Sequence, residues 1–268
     1  MSLNVTVRGE GPPVVLLHSG GMSGRQWRRL GDALVSTHRV IAPDFLGSGD
    51  NPPWPDEAPF HFDMDVAAVA EILAAEAAPT HVVGHSYGGL VALTLARKHS
   101  ALVRSVAVYD PVAFGVLYDA ADAEGLEDLA HAGDDPVFTD DARGGSEAWL
   151  QAFVDYWNGP GAWKAMPQPS REGFLRVGRK VFYEVRSLLA DRTTRAAYAS
   201  LPMPFLLMRG ERSPAAARRV IALLAGAIPG ATLLTLAGAG HMGPISHAAA
   251  VNEAIVRHVA EADGRSQK

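Results

Sequence analysis

Gly84-His85-Ser86-Tyr87-Gly88 is the stretch of this sequence whose residue types and spacing suit covalent chemistry. His81-Val82-Val83 before it reads as the end of a buried strand and residues 89–96 after it as a helix, so Ser86 falls on the turn between them. A reversal this tight forces strained backbone angles on its central residue and brings neighbouring backbones close, which requires glycine at 84 and 88. The hydroxyl is pushed out over the sheet edge, where the first amides of the following helix and their positive dipole end also point. A hydroxyl becomes a nucleophile only when a base takes its proton, and histidine has the pKa for that near neutrality. Of ten histidines, His241 is best placed, in a glycine-lined loop at 237–244 after the last expected strand. His18 closes a strand, His85 is the variable position of the turn and His99 ends a helix, so these three are read as parts of polar networks. Asp44, at a strand end before an irregular loop, is read as an anchor for backbone amides rather than as a catalytic acid.

Composition bounds the rest. A chain of 268 residues buries about three quarters of its surface, enough for one large domain or a core with an insertion. With 20 % charged residues and a net charge of −5, there is no broad basic field, and nucleic acid is not expected as a partner. The absence of cysteine removes disulfides, thiolate metal sites and a thiol nucleophile. Residues 1–9 alternate like a strand and lack the basic start and apolar run of a signal peptide. No apolar run reaches the roughly 18 to 20 residues that span a bilayer. These features are read as a cytoplasmic protein with no membrane partner.

The elements that must position Ser86 alternate between strand and helix. Val5 and Val7 suggest an edge strand; 14–17, 39–44, 103–108, 204–208 and 231–236 suggest further strands, several of them apolar without alternation, as burial on both faces demands. Helices are expected at 63–78, where Asp63 or Asp65 lies near the N-terminal end, after the serine turn, after 214 and at about 247–260. Such a pattern implies an α/β fold with a mainly parallel central sheet flanked by helices, the ligand cleft lying beyond the carboxyl ends of the strands. Residues 112–200 break the pattern. They hold helical segments rich in large side chains, with Trp149, Phe153, Tyr156 and Trp157 on one face of 146–158 and a second stripe from Phe174 to Leu189. The expected organisation is therefore a core of 1–111 and 201–268 with 112–200 inserted as a helical lid, most of its aromatics gluing helices together and a few lining the cleft.

His18-Ser19-Gly20-Gly21, Gly84-His85-Ser86-Tyr87-Gly88-Gly89 and Gly240-His241-Met242, in that order, resemble the α/β-hydrolase-fold enzymes over nearly the whole chain. The resemblance implies an oxyanion hole built from the amides of Tyr87 and Gly20, although the first loop reads His-Ser-Gly where the family commonly has His-Gly-x. It also exposes a departure. The usual acid position, two residues beyond Glu211, is Ser213, which carries no charge to stabilise an imidazolium. Asp110, ending the strand after that of the nucleophile, is the natural substitute, since haloalkane dehalogenases of this fold place their acid on the equivalent strand. Glu211 is the alternative.

The chemistry implied is hydrolysis of an ester or related small acyl compound through an acyl-Ser86 intermediate, with His241 as base and then acid, and with no metal or organic cofactor. The expected substrate is a small, partly apolar molecule. Epoxide hydrolase and dehalogenase chemistry, which uses a carboxylate nucleophile, does not fit a serine at 86. Cofactor-free haloperoxidases, carbon–carbon bond hydrolases and lyases share the serine triad and stay open, as does a non-catalytic binder of small ligands on the same fold.

Overall fold

The structure is a computed structural model and describes residues 3–56 and 58–265. Met1 and Ser2 of the alternating N-terminal stretch, Glu57, and 266–268 of the expected core lie outside the described residues. Seven strands form one sheet: β1 Val5–Arg8, β2 Pro13–Leu17, β3 Arg39–Pro43, β4 Thr80–His85, β5 Val103–Tyr109, β6 Phe205–Gly210 and β7 Thr232–Leu236. Their order is β1-β3-β2-β4-β5-β6-β7. Only β1 runs antiparallel, at the edge, paired through Val5 with Pro43 and Val7 with Ile41; the other pairings are parallel.

Parallel strands need crossovers, and helices supply them on both faces. These are α1 Arg28–Leu34, α2 Phe62–Ala74, α3 Tyr87–Lys98, α10 Ala215–Ala227 and α12 Ala248–Arg265 in the core. The stretch between β5 and β6 holds α4 Gly115–Ala120, α5 Ala123–Ala132, α6 Pro136–Thr139, α7 Glu147–Asn158, α8 Ala162–Ala165 and α9 Gln168–Ala190, and α11 Gly243–Ser246 precedes α12. The apolar runs of the inner strands are explained by this double cover. Successive residues alternate between two cores: Val15, Leu17, Val82, Val106 and Leu207 pack with α2, α3 and α10, while Val14, Leu16, Val83, Ala107 and Leu206 pack with α1 and α12. Each such aliphatic side chain contributes about 1.5–3 kcal/mol relative to exposure.

Helix ends shift slightly from the sequence expectation. The 63–78 segment begins at Phe62, where the ring of His61 accepts from the amide of Asp63, and ends at Ala74; Pro79 disfavours helix only in Ala78, the residue before it. The helix expected at about 247–260 runs from Ala248 to Arg265. Residues 137–182 have a small core of their own, built on Trp149, Leu150, Trp163, Val181 and Phe182, whereas Val112–Leu117, Leu188 and Tyr198 belong to the main core.

A polar clamp fastens α12 to the sheet. Asp263 takes Nε2 of His38 at 3.0 Å, Nε2 of His81 at 3.1 Å and the guanidinium of Arg104 at 3.0 Å. Removing the carboxylate leaves the wholly buried His81 without its partner, which costs on the order of 1–3 kcal/mol. Asp263→Ala should therefore lower the melting temperature by roughly 3–8 °C, read by differential scanning calorimetry; an unchanged melting temperature would show that the clamp contributes nothing.

Candidate active site

Ser86 and Asp110 stand at the tips of neighbouring strands, and both have positive φ, 54° and 43°. Such angles cost a non-glycine residue about 1–3 kcal/mol and persist only where the surroundings over-determine them. Here each is tied to the next strand: Ser86 N donates to Tyr109 O at 2.9 Å, and Asp110 N to Met208 O at 2.9 Å. The turn around Ser86 admits no side chains on its flanks. A Cβ on Gly84 would lie 2.3 Å from Gly88 O, and one on Gly88 would lie 2.4 Å from both Leu17 O and His18 O. Ser86 occupies the residue before the first turn of α3, so the amide of Tyr87, as the first helical residue, has no partner within the helix.

Asp110 is wholly buried. Its Oδ2 accepts from Ser213 Oγ at 2.5 Å and faces His241 Nδ1 at 3.3 Å. Glu211 is turned elsewhere, its Oε2 accepting from Gly238 N at 2.7 Å. Thus Ser213, two residues beyond Glu211, donates to the carboxylate of Asp110 at the tip of the neighbouring strand. Burial pushes the carboxyl of Asp110 up to about 8, against the Ser213 hydroxyl and the Gly210 amide, which favour its ionised form. Burial also pushes the imidazole of His241 down, to about 3, so the ring is neutral at ordinary pH. With Nδ1 carrying the proton toward Asp110, Nε2 is left as the basic nitrogen.

The loop carrying His241 is held from below. Tyr109 OH donates to Gly240 O at 2.8 Å, and His85 Nε2 donates to His241 O at 2.9 Å. His85 Nδ1 in turn accepts from Gln26 Nε2 at 3.0 Å, and Gln26 Oε1 accepts from Ser19 N at 2.9 Å. One chain of hydrogen bonds therefore joins the Ser19-Gly20 loop, the serine turn and the histidine loop. Burial lowers the pKa of His85 well below its usual value, which keeps it neutral in this role. His18 is also structural, its Nδ1 bonding Ser19 O at 2.7 Å and its Nε2 accepting from Phe45 N at 3.0 Å. His99 only ends α3. Asp44 anchors amides of Gly24 and Asp50 at 2.8 and 2.9 Å.

Two neighbouring cavities share Gly20, Ser86, Phe153 and Trp157 in their walls. The one of about 220 Å³ also touches Tyr87, Val112, Phe114 and Glu184; the one of about 450 Å³ touches Ser19, Met166, Phe174 and His241. The Trp157 ring stacks on that of His241 at 3.9 Å between centroids and 24° between planes. Tyr156, on the same stripe, instead donates to Asp128 at 2.8 Å, and Trp149 is buried against Phe153.

Three residues that sequence reasoning missed form an ionic cluster behind Tyr87. Lys180 Nζ donates to Asp65 Oδ2 at 2.9 Å and to Glu184 Oε1, and Tyr87 OH donates to Asp65 Oδ2 at 2.7 Å. The signal was present: Lys180 and Glu184, four residues apart, fall on the apolar stripe with Val177, Val181 and Leu188, where charged side chains have no place unless paired. Asp65 was read only as a charge near a helix start. Elsewhere, His38, His81 and Asp263 bring ligand-type atoms within 4.8 Å of one another, but Arg104 already sits on that carboxylate and opposes a second cation.

Residues 14–254 match the family described as "Alpha/beta hydrolase family". The chain belongs to the alpha/beta hydrolase family. It is 30 % identical to a pimeloyl-[acyl-carrier protein] methyl ester esterase of Chromobacterium violaceum over 97 % of this chain and 98 % of that one. It is 29 % identical to the 2-hydroxymuconate semialdehyde hydrolase of Pseudomonas sp. (strain CF600) over 97 % and 91 %. In fold it is similar to an enol-lactonase from Burkholderia xenovorans LB400, with a TM-score of 0.74, 22 % identity and 96 % of each chain covered. This alpha/beta hydrolase is an enzyme of hydrolase type, and the strand-rich core with its parallel sheet is the α/β-hydrolase fold. Among the described residues no helix is long and apolar enough to cross a membrane.

The tightness of the turn gives a direct check. Gly88→Ala should lower the rate of Ser86 labelling by a fluorophosphonate at least tenfold, because the new methyl would press on the Leu17 and His18 carbonyls at the end of β2 and force that strand and α3 apart. A variant labelled at the rate of the parent would show that the turn has slack.

Proposed function

We propose that this alpha/beta hydrolase cleaves esters of small, partly apolar acyl compounds, with Ser86 as nucleophile, His241 as general base and acid, and Asp110 as the acid of the triad. The observation that carries this reading is the Asp110–His241 contact beside the larger cavity, which Ser86 and His241 both line. Ser86 Oγ attacks the carbonyl carbon as its proton passes to His241 Nε2; the carbonyl oxygen, now negative, is held by the amides of Tyr87 and Gly20. Collapse breaks the carbon–oxygen bond to the alcohol, which leaves with the proton from His241. A water molecule then repeats the sequence on the acyl-Ser86 ester, with His241 again as base.

Asp110 acts in its carboxylate form and stabilises the imidazolium at His241 Nδ1. Ser213 works against the rise that burial causes, since a donor bonded to the charged form favours that form. Residues 112–200 act as a cap: Phe153, Trp157 and Glu184 from α7 and α9 roof the nucleophile, which supports a site closed to bulk water.

The residue assignment is checked by steady-state hydrolysis of p-nitrophenyl esters. Asp110→Asn should lower kcat by two or more decades, whereas Glu211→Gln should stay within about threefold because its carboxylate serves Gly238; the reverse pattern would assign the acid to Glu211.

Ser213→Ala gives a separate test through pH. Loss of the hydroxyl makes the charged carboxylate less favourable, so ionisation of Asp110 needs a higher pH and the ascending limb of the kcat/KM profile should move to the alkaline side. An unmoved limb would mean that Asp110 does not govern it.

A further inference from the structure

Glu184 is 1 % exposed, and its Oε2 has no hydrogen-bond partner among the described residues. Leaving a buried carboxylate oxygen bare is costly, so its position asks for a donor from outside the chain. The rest of the cluster is satisfied. Asp65 Oδ1 takes the amide of Leu46 at 2.9 Å, and Asp65 Oδ2 takes Tyr87 OH and Lys180. Lys180 Nζ spends its donors on the two carboxylates and is otherwise faced by the rings of Phe45, Phe60 and Tyr87 at 5.6, 4.7 and 5.0 Å. Glu184 Oε2 is the one oxygen of the two carboxylates without a partner among the described residues, and Glu184 lines the 220 Å³ cavity together with Ser86, Gly20 and Tyr87.

The oxygen lies close to the reaction centre. A Cβ on Gly20 would come within 2.7 Å of Glu184 Oε2, so position 20 has no side chain where this carboxylate enters. A glycine at position 20 therefore leaves this space to the Glu184 carboxylate. Which part of a substrate meets it follows from the proposed mechanism, on which this inference rests. The leaving alcohol must take its proton from His241, which lines the larger cavity and not the smaller; the acyl portion is left with the smaller cavity and Glu184.

We propose that Glu184 Oε2 binds a neutral hydrogen-bond donor, a hydroxyl or amide N–H, on the acyl chain two or three atoms from the scissile carbonyl. A carboxylate or phosphate there would meet a like charge. A cation would meet Lys180, whose ammonium already occupies Oε1. Burial pushes the carboxyl of Glu184 up to about 7, with the Lys180 charge working against it, so around neutrality it can accept from a hydroxyl or share a proton with it. The apolar walls at Val112, Phe114, Val185 and Leu188 suit the remaining carbon chain.

The test compares kcat/KM for p-nitrophenyl 3-hydroxybutanoate and its methyl isostere, p-nitrophenyl 3-methylbutanoate, in the parent protein, Glu184→Leu and Glu184→Gln. Leucine leaves Lys180 paired with Asp65; glutamine keeps the shape and an oxygen for Lys180. The parent should prefer the hydroxy ester by about tenfold or more. The preference should reverse in Glu184→Leu and fall severalfold in Glu184→Gln, and the latter decides if the leucine variant does not fold. A parent ratio at or below one, or a ratio unchanged in the folded variants, overturns the subsite while leaving the esterase reading intact. No turnover of either ester, with no fluorophosphonate adduct on Ser86, overturns that reading and this one with it.

Discussion

Everything at this site depends on a single oxygen buried under three loops. Asp110 Oδ2 is held by Ser213 Oγ from the tip of β6 and faces His241 Nδ1 from the loop after β7, while the backbone of β5 that carries it also accepts Ser86 N from the tip of β4. Four consecutive parallel strands therefore end on one polar junction. An ionised carboxylate in such surroundings is unfavourable by itself, and burial raises its pKa; the donors around it offset part of that cost, and its contact with Nδ1 fixes the tautomer of the imidazole. The strained angles at Ser86 and Asp110 are part of the same constraint, since each residue is held out of its comfortable backbone region by a hydrogen bond to the neighbouring strand.

A second polar line lies across the first. Ser19, Gln26, His85 and the carbonyl of His241 form an unbroken chain of hydrogen bonds, so the loop that offers Gly20, the turn that offers Ser86 and the loop that offers His241 cannot drift independently. Because His85 is buried and neutral, this line carries no charge to compete with that of Asp110. Above it, Trp157 lies flat on the imidazole of His241. The stacked ring screens the imidazole from water and limits its rotation.

The sheet was legible in the sequence because parallel strands buried on both faces leave continuous apolar runs such as Val14-Val15-Leu16-Leu17, and the serine turn was legible because backbone crowding at Gly84 and Gly88 tolerates nothing larger. The anchoring of amides by Asp44 followed from its place before an irregular loop. The sequence showed Ser213 only as a missing charge; that it donates to Asp110 depends on two strand tips being neighbours, a relation between residues 103 apart that periodicity does not encode. Lys180, Glu184 and Asp65 were hidden for a similar reason. On α9 the apolar stripe dominates the pattern, and a buried ion pair reads as an interruption until Asp65 arrives from α2 to complete it.

The central claim concerns which carboxylate holds the histidine, and proton NMR addresses it without reference to any substrate. A proton shared between His241 Nδ1 and a buried carboxylate should give a strongly deshielded resonance, present in the parent protein and in Glu211→Gln and absent from Asp110→Asn. A resonance that survives in Asp110→Asn and disappears in Glu211→Gln would contradict the account.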